Sequence, residues 1–166
     1  MGKPEAEATR LLQETGLGRE LPVDVGRIAA YLGAQVIEER LVRGPSGLLY
    51  RDGDQVVIGV NSSHAERRRR FTVAHEIGHL VLHKGRTLIL DRANFRDATS
   101  STATNYEEIQ ANAFAAELLM PRAQVYARQG GRARDADLVR DLADTFKVSE
   151  QAMGCRLVNL GLRIHA

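Results

Sequence analysis

The sequence predicts an α+β fold: a small, mainly antiparallel sheet of three or four strands packed against one long helix, with further helices completing the body. Three observations carry this expectation. Short β-prone runs, "AQVIEE", "SGLLYRD" and "DQVVIGVN", follow one another between residues 34 and 61. "RRRRFTVAHEIGHLVLH", residues 67–83, then reads as one long helix. Amphipathic helical segments flank this block on both sides.

The elements follow in order. "PEAEATRLLQETG" has apolar or small residues at Ala8, Leu11 and Leu12 and closes on Gly16, the pattern of an amphipathic helix with a glycine stop. "LPVDVGRIAAYLGA" reads as a second helix, capped by Asp24 and ended by Gly33. Between the second and third β-prone runs, "RDGD" predicts a hairpin, because Asp-Gly supplies the positive φ angles that tight turns need. Ser63 followed by Glu66 fits a capping box that would start the long helix, which would run through His83 and stop at Gly85. "TLIL" predicts another strand, and the polar Ser/Thr-rich stretch between Asp97 and Asn105 a mobile surface loop. "YEEIQANAFAAELLM" is helical up to Pro121, which starts a further helix ending at Gly130 and Gly131. "DADLVRDLADTFK" and "SEQAMGCRLVNLG" predict two final helices.

Composition excludes several classes. With 166 residues, 43% of them hydrophobic, the chain can bury a core. Aromatics are 5% with no Trp, which argues against base stacking. A net charge of +2 is too balanced to attract DNA or a membrane by charge alone. The single Cys155 excludes an internal disulfide and fits a reducing compartment. With neither a signal-peptide pattern nor a membrane-length apolar run, the expected location is cytoplasmic.

His75, Glu76 and His79 form the pattern His-Glu-x-x-His. On a helix, residues four apart share a face with Cβ atoms about 5–6 Å apart, so two imidazoles can close on one ion. Glu76 lies about 100° round the helix from His75, placed to take a proton from a water beside the ion. Zinc suits this pattern because it lowers the pKa of a bound water to about 7. His83 is a tempting third ligand, but eight residues along a continuous helix rise about 12 Å, too far for His75 and His83 to share an ion. It reads instead as a packing residue or as a support behind a ligand. The third ligand is therefore sought on the helix containing Glu107, Glu108 and Glu117. Glu108 and Asn112 are four apart, so Glu108 can ligate while Asn112 hydrogen-bonds the far nitrogen of a ligand histidine. Glu107 points about 100° away and is the runner-up, and Glu117 reads as lying outside the site. The flanks "FTVA" and "LVLH" are apolar, so the polar pair would be buried at a cost unless it binds something.

These stretches, "RRRRFTVAHEIGHLVLH" and "EIQANAFAAELLMP", with "VSEQAMGCRLVNLGL" as a looser third, resemble the ImmA/IrrE family of small zinc-peptidase-like proteins. The resemblance covers most of the chain from about residue 45 onward. It implies a gluzincin-like, zincin-type fold, with metal ligands His75, His79 and Glu108 and Glu76 as general base. It implies zinc, with manganese as the alternative in the cell. It also implies a substrate, a helix-turn-helix (XRE-type) repressor whose cleavage relieves repression in mobile elements or stress responses. Residues 1–130 would be the metallopeptidase domain, and 131–166 a helical pair resembling a helix-turn-helix packed on it. Candidate oxyanion donors are Tyr106, His64 and an arginine, Tyr106 being equally readable as a packing residue.

Two other functions compete. A non-hydrolytic anti-repressor would bind and sequester the repressor, but would have no need of Glu76 beside a metal. A DNA-binding regulator would use the tail, whose second helix offers Glu150, Gln151, Arg156 and Asn159 but few cations for phosphates. Ala152, Met153, Leu157 and Leu160 read as its packing face, and Cys155 as a buried small residue. Arg67 to Arg70 spread almost around a helix axis, so they predict solvated side chains and one or two salt bridges rather than a nucleic-acid stripe.

Overall fold

A computed structural model describes residues 2–40, 44–85, 87–91, 104–131 and 135–162. The chain opens with α1 (Lys3–Thr15), whose apolar face buries Ala8, Leu11 and Leu12 and which ends on Gly16 at φ 71°. A short 3-10 turn leads to α2 (Val25–Tyr31), where the Asp24 carboxylate accepts from the Arg27 N–H at 3.0 Å. Strands β1 (Ala34–Glu39), β2 (Gly47–Asp52) and β3 (Gln55–Asn61) follow, then α3 (Glu66–Leu82) and β4 (Leu88–Asp91). Four helices complete the described chain: α4 (Asn105–Leu119), α5 (Arg122–Gln129), α6 (Ala136–Phe146) and α7 (Glu150–Asn159).

The sheet order is β1-β3-β2-β4. β2 pairs antiparallel with β3, across the hairpin that "RDGD" predicts, and with β4; β1 pairs with β3 in parallel. Val36, Ile58, Leu49 and Ile89 stand opposite one another along one row. Leu49, Ile58 and Ile89 are buried there, with Val36 packed against them, and α3 packs on β2 and β3. α4 lies against α3, and α1 against α4. The buried apolar cluster includes Leu138 and Phe146 of α6 and Met153 and Leu157 of α7, so the last two helices share the core of the rest. No helix among the described residues is long and apolar enough to cross a membrane.

Several local expectations need correction. The Ser63–Glu66 capping box does not form. The helix starts at Glu66, so Glu66 holds the first position rather than the third, and Ser63 instead donates through its N–H and hydroxyl to Asn61 Oδ1 at 3.0 and 2.7 Å. α3 ends at Leu82, one residue short of His83, where Arg51 of β2 donates to the His79 and His83 carbonyls at 2.9 and 3.1 Å. A guanidinium suits this end of a helix, where unpaired carbonyls concentrate negative charge. Cys155 is exposed rather than buried, because α7 turns Met153, Arg156 and Leu157 inward instead. The loop expected between Asp97 and Asn105 lies, up to residue 103, outside the described residues; Thr104 caps α4 and Asn105 opens it.

The four arginines fan out as a 100° helical step requires, and each ties α3 to a different element. Arg67 pairs with Asp144 and donates to the Val148 carbonyl, Arg68 donates to Ser46 Oγ, Arg69 pairs with Glu38, and Arg70 donates to the Val23 carbonyl. They brace the helix rather than form a basic face.

Candidate metal centre

Residues Thr72 to His79 of α3 are all buried, since this stretch lies between the sheet and α4. His75 and His79, one turn apart, place their Nε2 atoms 3.0 Å from each other. Glu108, in the first turn of α4, faces both: Oε2 lies 3.1 Å from His75 Nε2, and Oε1 lies 3.4 Å from His79 Nε2. The three offer ligand atoms within 4.8 Å of one another, and all three residues are buried.

Small residues make this approach possible. A Cβ added at Gly78 would stand 3.1 Å from the backbone of Ala111 and 3.3 Å from Phe114 Cβ. Gly78 and Ala111 therefore set the distance between α3 and α4 that lets a carboxylate reach two imidazoles. Gly78→Ala should crowd that crossing by a few tenths of an ångström. The expected cost is about 1–3 kcal/mol from overpacking, partly offset by the roughly 1 kcal/mol that alanine gains in a helix. Urea denaturation and zinc titration would check this, with weaker zinc binding expected alongside the stability loss.

The outer contacts fix which nitrogens face the centre. Asn112 Oδ1 lies 2.9 Å from His75 Nδ1, so that nitrogen carries the proton and Nε2 a lone pair. Behind His79, its Nδ1 lies 2.9 Å from His83 Nδ1, and His83 Nε2 lies 3.0 Å from Gln110 Oε1. Gln110 accepts from His83 Nε2–H, so His83 Nδ1 accepts from His79 Nδ1–H and leaves His79 Nε2 with a lone pair as well. Asn112→Ala should release the His75 ring and weaken zinc binding by roughly 10–100-fold, the usual loss for such a supporting partner. A fluorescent zinc-competition titration would read it.

Charge states agree with this picture. Burial alone would push Glu108 upward, but the facing His75 and His79 outweigh it and hold the carboxyl well below its usual range. Burial, the largest influence on His79, pushes that imidazole below its ordinary value. The Glu108 carboxylate thus faces both ring Nε2 atoms, three donor atoms converging on one point. Donors about 2.1 Å from a tetrahedral ion stand about 3.4 Å apart, close to the separations found here. The residues fit a zinc ion, which one carboxylate and two imidazole nitrogens would hold.

The remaining predicted residues fall in different places. Glu76 is fully buried, its carboxylate against β2: a Cβ at Gly47 would meet Thr72 Cγ2 and lie 2.7 Å from Glu76 Oε1. Glu107 is occupied by the capping box of α4, accepting from the Thr104 N–H at 2.7 Å. Glu117 is buried far down α4, paired with Arg156 and accepting from the Arg122 N–H at 3.0 Å. Tyr106 is 69% exposed, so it is not a packing residue, and His64 is half-buried before α3. Spacing alone does not single out Gly47, Gly78, Gln110 or Ala111. A pair of small residues opposed on two helices is the signal that marks such a crossing, but it needs the helix pairing to be known first.

Known proteins match this arrangement. The profile of the IrrE N-terminal-like domain, Peptidase_M78, matches residues 29–158. A protein of Bacillus phage phi105 named "Uncharacterized immunity region protein 2" is 33% identical over 97 residues, covering 57% of this chain. The chain spans 56% of that relative's length. Since the matched profile takes in all four described strands together with α3 and α4, the chain belongs to the Peptidase_M78 family, that of the IrrE N-terminal-like domain.

Proposed function

We propose that the protein is a cytoplasmic zinc-dependent endopeptidase that cleaves a helix-turn-helix repressor and so relieves transcriptional repression. The observation that carries this reading is the convergence of His75, His79 and Glu108 within 4.8 Å, with Glu76 buried on the same helix. His75, His79 and Glu108 would hold the ion, with Asn112 and His83 orienting the two rings from behind. When bound, zinc supplies Lewis acidity: it lowers the pKa of a water to about 7 and polarises a carbonyl. Glu76 takes the proton from the attacking water and returns it to the leaving amine. Gly47 leaves the space the Glu76 carboxylate occupies, since a Cβ there would stand 2.7 Å from Oε1. Tyr106, exposed two residues before Glu108, is available to donate to the developing oxyanion. The phage relative's name places that protein in an immunity region, which suits a repressor as the partner here.

The test is intact-mass spectrometry of a helix-turn-helix repressor from the same source, incubated with this protein and zinc or manganese. A discrete cut by the wild type, absent with Glu76→Gln that still binds metal, is the expected result. An uncut repressor held in a stable complex by both forms would replace hydrolysis with sequestration.

A further inference from the structure

We propose that a groove leading away from the candidate metal centre binds a bulky apolar side chain of the substrate, and that α7 forms its outer wall. This rests on the peptidase reading and gives that site a chemical preference. The groove holds about 500 Å³, within the roughly 300–1,000 Å³ of ligand pockets. It begins at Asn112, the side chain that holds the His75 ring. Phe71, one turn before His75 with ring centroids 6.3 Å apart, lines it from α3. Ala116 and Met120 extend it along α4, and Ala152 and Cys155 face them from α7.

The spacing ties the groove to the centre. Glu108, Asn112 and Ala116 recur every four residues on one face of α4, and Met120 follows at its C-cap. The residue that meets the histidines and those that line the groove are therefore one continuous stripe. The groove thus meets the centre at Asn112, the partner of His75.

The chemistry of the walls selects the occupant. Two of its cations are committed elsewhere, Arg156 to Glu117 and Arg67 to Asp144, and Arg68 donates to Ser46. A lysine would enter among guanidinium groups. A carboxylate would lose water against Phe71, Ala116, Met120 and Ala152. An apolar side chain meets neither cost, and the alanines leave room for its bulk. Met120 adds an adaptable surface.

Cys155 makes the groove measurable without hydrolysis, because it is the chain's one cysteine and is exposed at the groove. The full chain with zinc, carrying Glu76→Gln, would be titrated with acetylated Gly-Gly-X-Gly-Gly amides in which X is Leu, Phe, Asp or Lys. The rate of Cys155 alkylation by iodoacetamide reports occupancy. Leu and Phe peptides are expected to slow alkylation about tenfold at saturation, while Asp and Lys peptides leave it within about twofold. Ala152→Leu, and independently Ala116→Leu, should weaken the Leu peptide roughly tenfold with zinc affinity unchanged. Equal protection by all four peptides, or by none, overturns the proposal. The wild type incubated with the same peptides separates this from the peptidase reading. Glu76-dependent cutting without apolar preference removes the groove and keeps the enzyme; apolar-selective protection without any cutting does the reverse.

Discussion

Glu108→Ala should abolish stoichiometric zinc binding, while Glu107→Ala should keep it. The two carboxylates are adjacent in sequence but do different things. Glu108 faces two imidazole Nε2 atoms at 3.1 and 3.4 Å, and its anionic form is favoured there. Glu107 closes the capping box with Thr104 and points back along its own helix. Removing a supporting partner of a ligand costs roughly 10–100-fold in metal affinity, so removing the carboxylate itself should exceed about 100-fold. Removing Glu107 should instead cost about 1 kcal/mol of stability through the lost cap. Thermal or urea unfolding gives a second readout. Zinc at 100 times its Kd should stabilise the wild type and Glu107→Ala by about 2.7 kcal/mol and leave Glu108→Ala unmoved. Zinc-dependent stabilisation that survives in Glu108→Ala but disappears in Glu107→Ala would reverse the ligand assignment.

The parts of this molecule that were legible in sequence are those governed by local period. A four-residue spacing puts His75 beside His79 and Glu108 beside Asn112 on any helix, and Asp-Gly in "RDGD" makes a hairpin wherever the flanking strands can pair. The parallel pairing of β1 with β3 was not legible, because alternation along a strand records which face is buried and not which neighbour it joins. Ser63–Glu66 misled for a related reason: the motif is written in sequence offsets, but its meaning depends on where the first helical turn begins. Gly47 and Gly78 carry no local signal of their role. Their reason lies in Thr72, Glu76, Ala111 and Phe114, residues that meet them only after folding. The arginine run shows both sides. The 100° step foretold that no basic stripe forms, whereas Ser46, Val23, Glu38 and Asp144 as partners are tertiary facts.

Arg156→Met should destabilise the protein by about 3–5 kcal/mol, the usual cost of stripping one partner from a buried ion pair. The pair is Arg156 of α7 with Glu117 of α4, 6% and 3% exposed, and Arg156 also donates from Nε to the Met120 carbonyl at 3.1 Å. Without the guanidinium, the Glu117 carboxylate keeps the Arg122 N–H and the weaker Thr9 hydroxyl but has no cation to offset its lost hydration. Adding Glu117→Gln should recover most of the loss, because an amide oxygen can still accept from Arg122 without carrying charge. Urea midpoints of the two single variants and the double variant, read as a cycle, would measure the coupling. A loss under about 1 kcal/mol for Arg156→Met would mean that water reaches the carboxylate. The same pair bears on the tail's function. Arg156 is the cation that a DNA-reading second helix would present, yet it is turned inward to hold α7 on α4. Glu117 lies nine residues along α4 from Glu108, a rise of about 13 Å. Folded Arg156→Met should therefore bind zinc with wild-type stoichiometry, separating the anchoring of α7 from the metal centre.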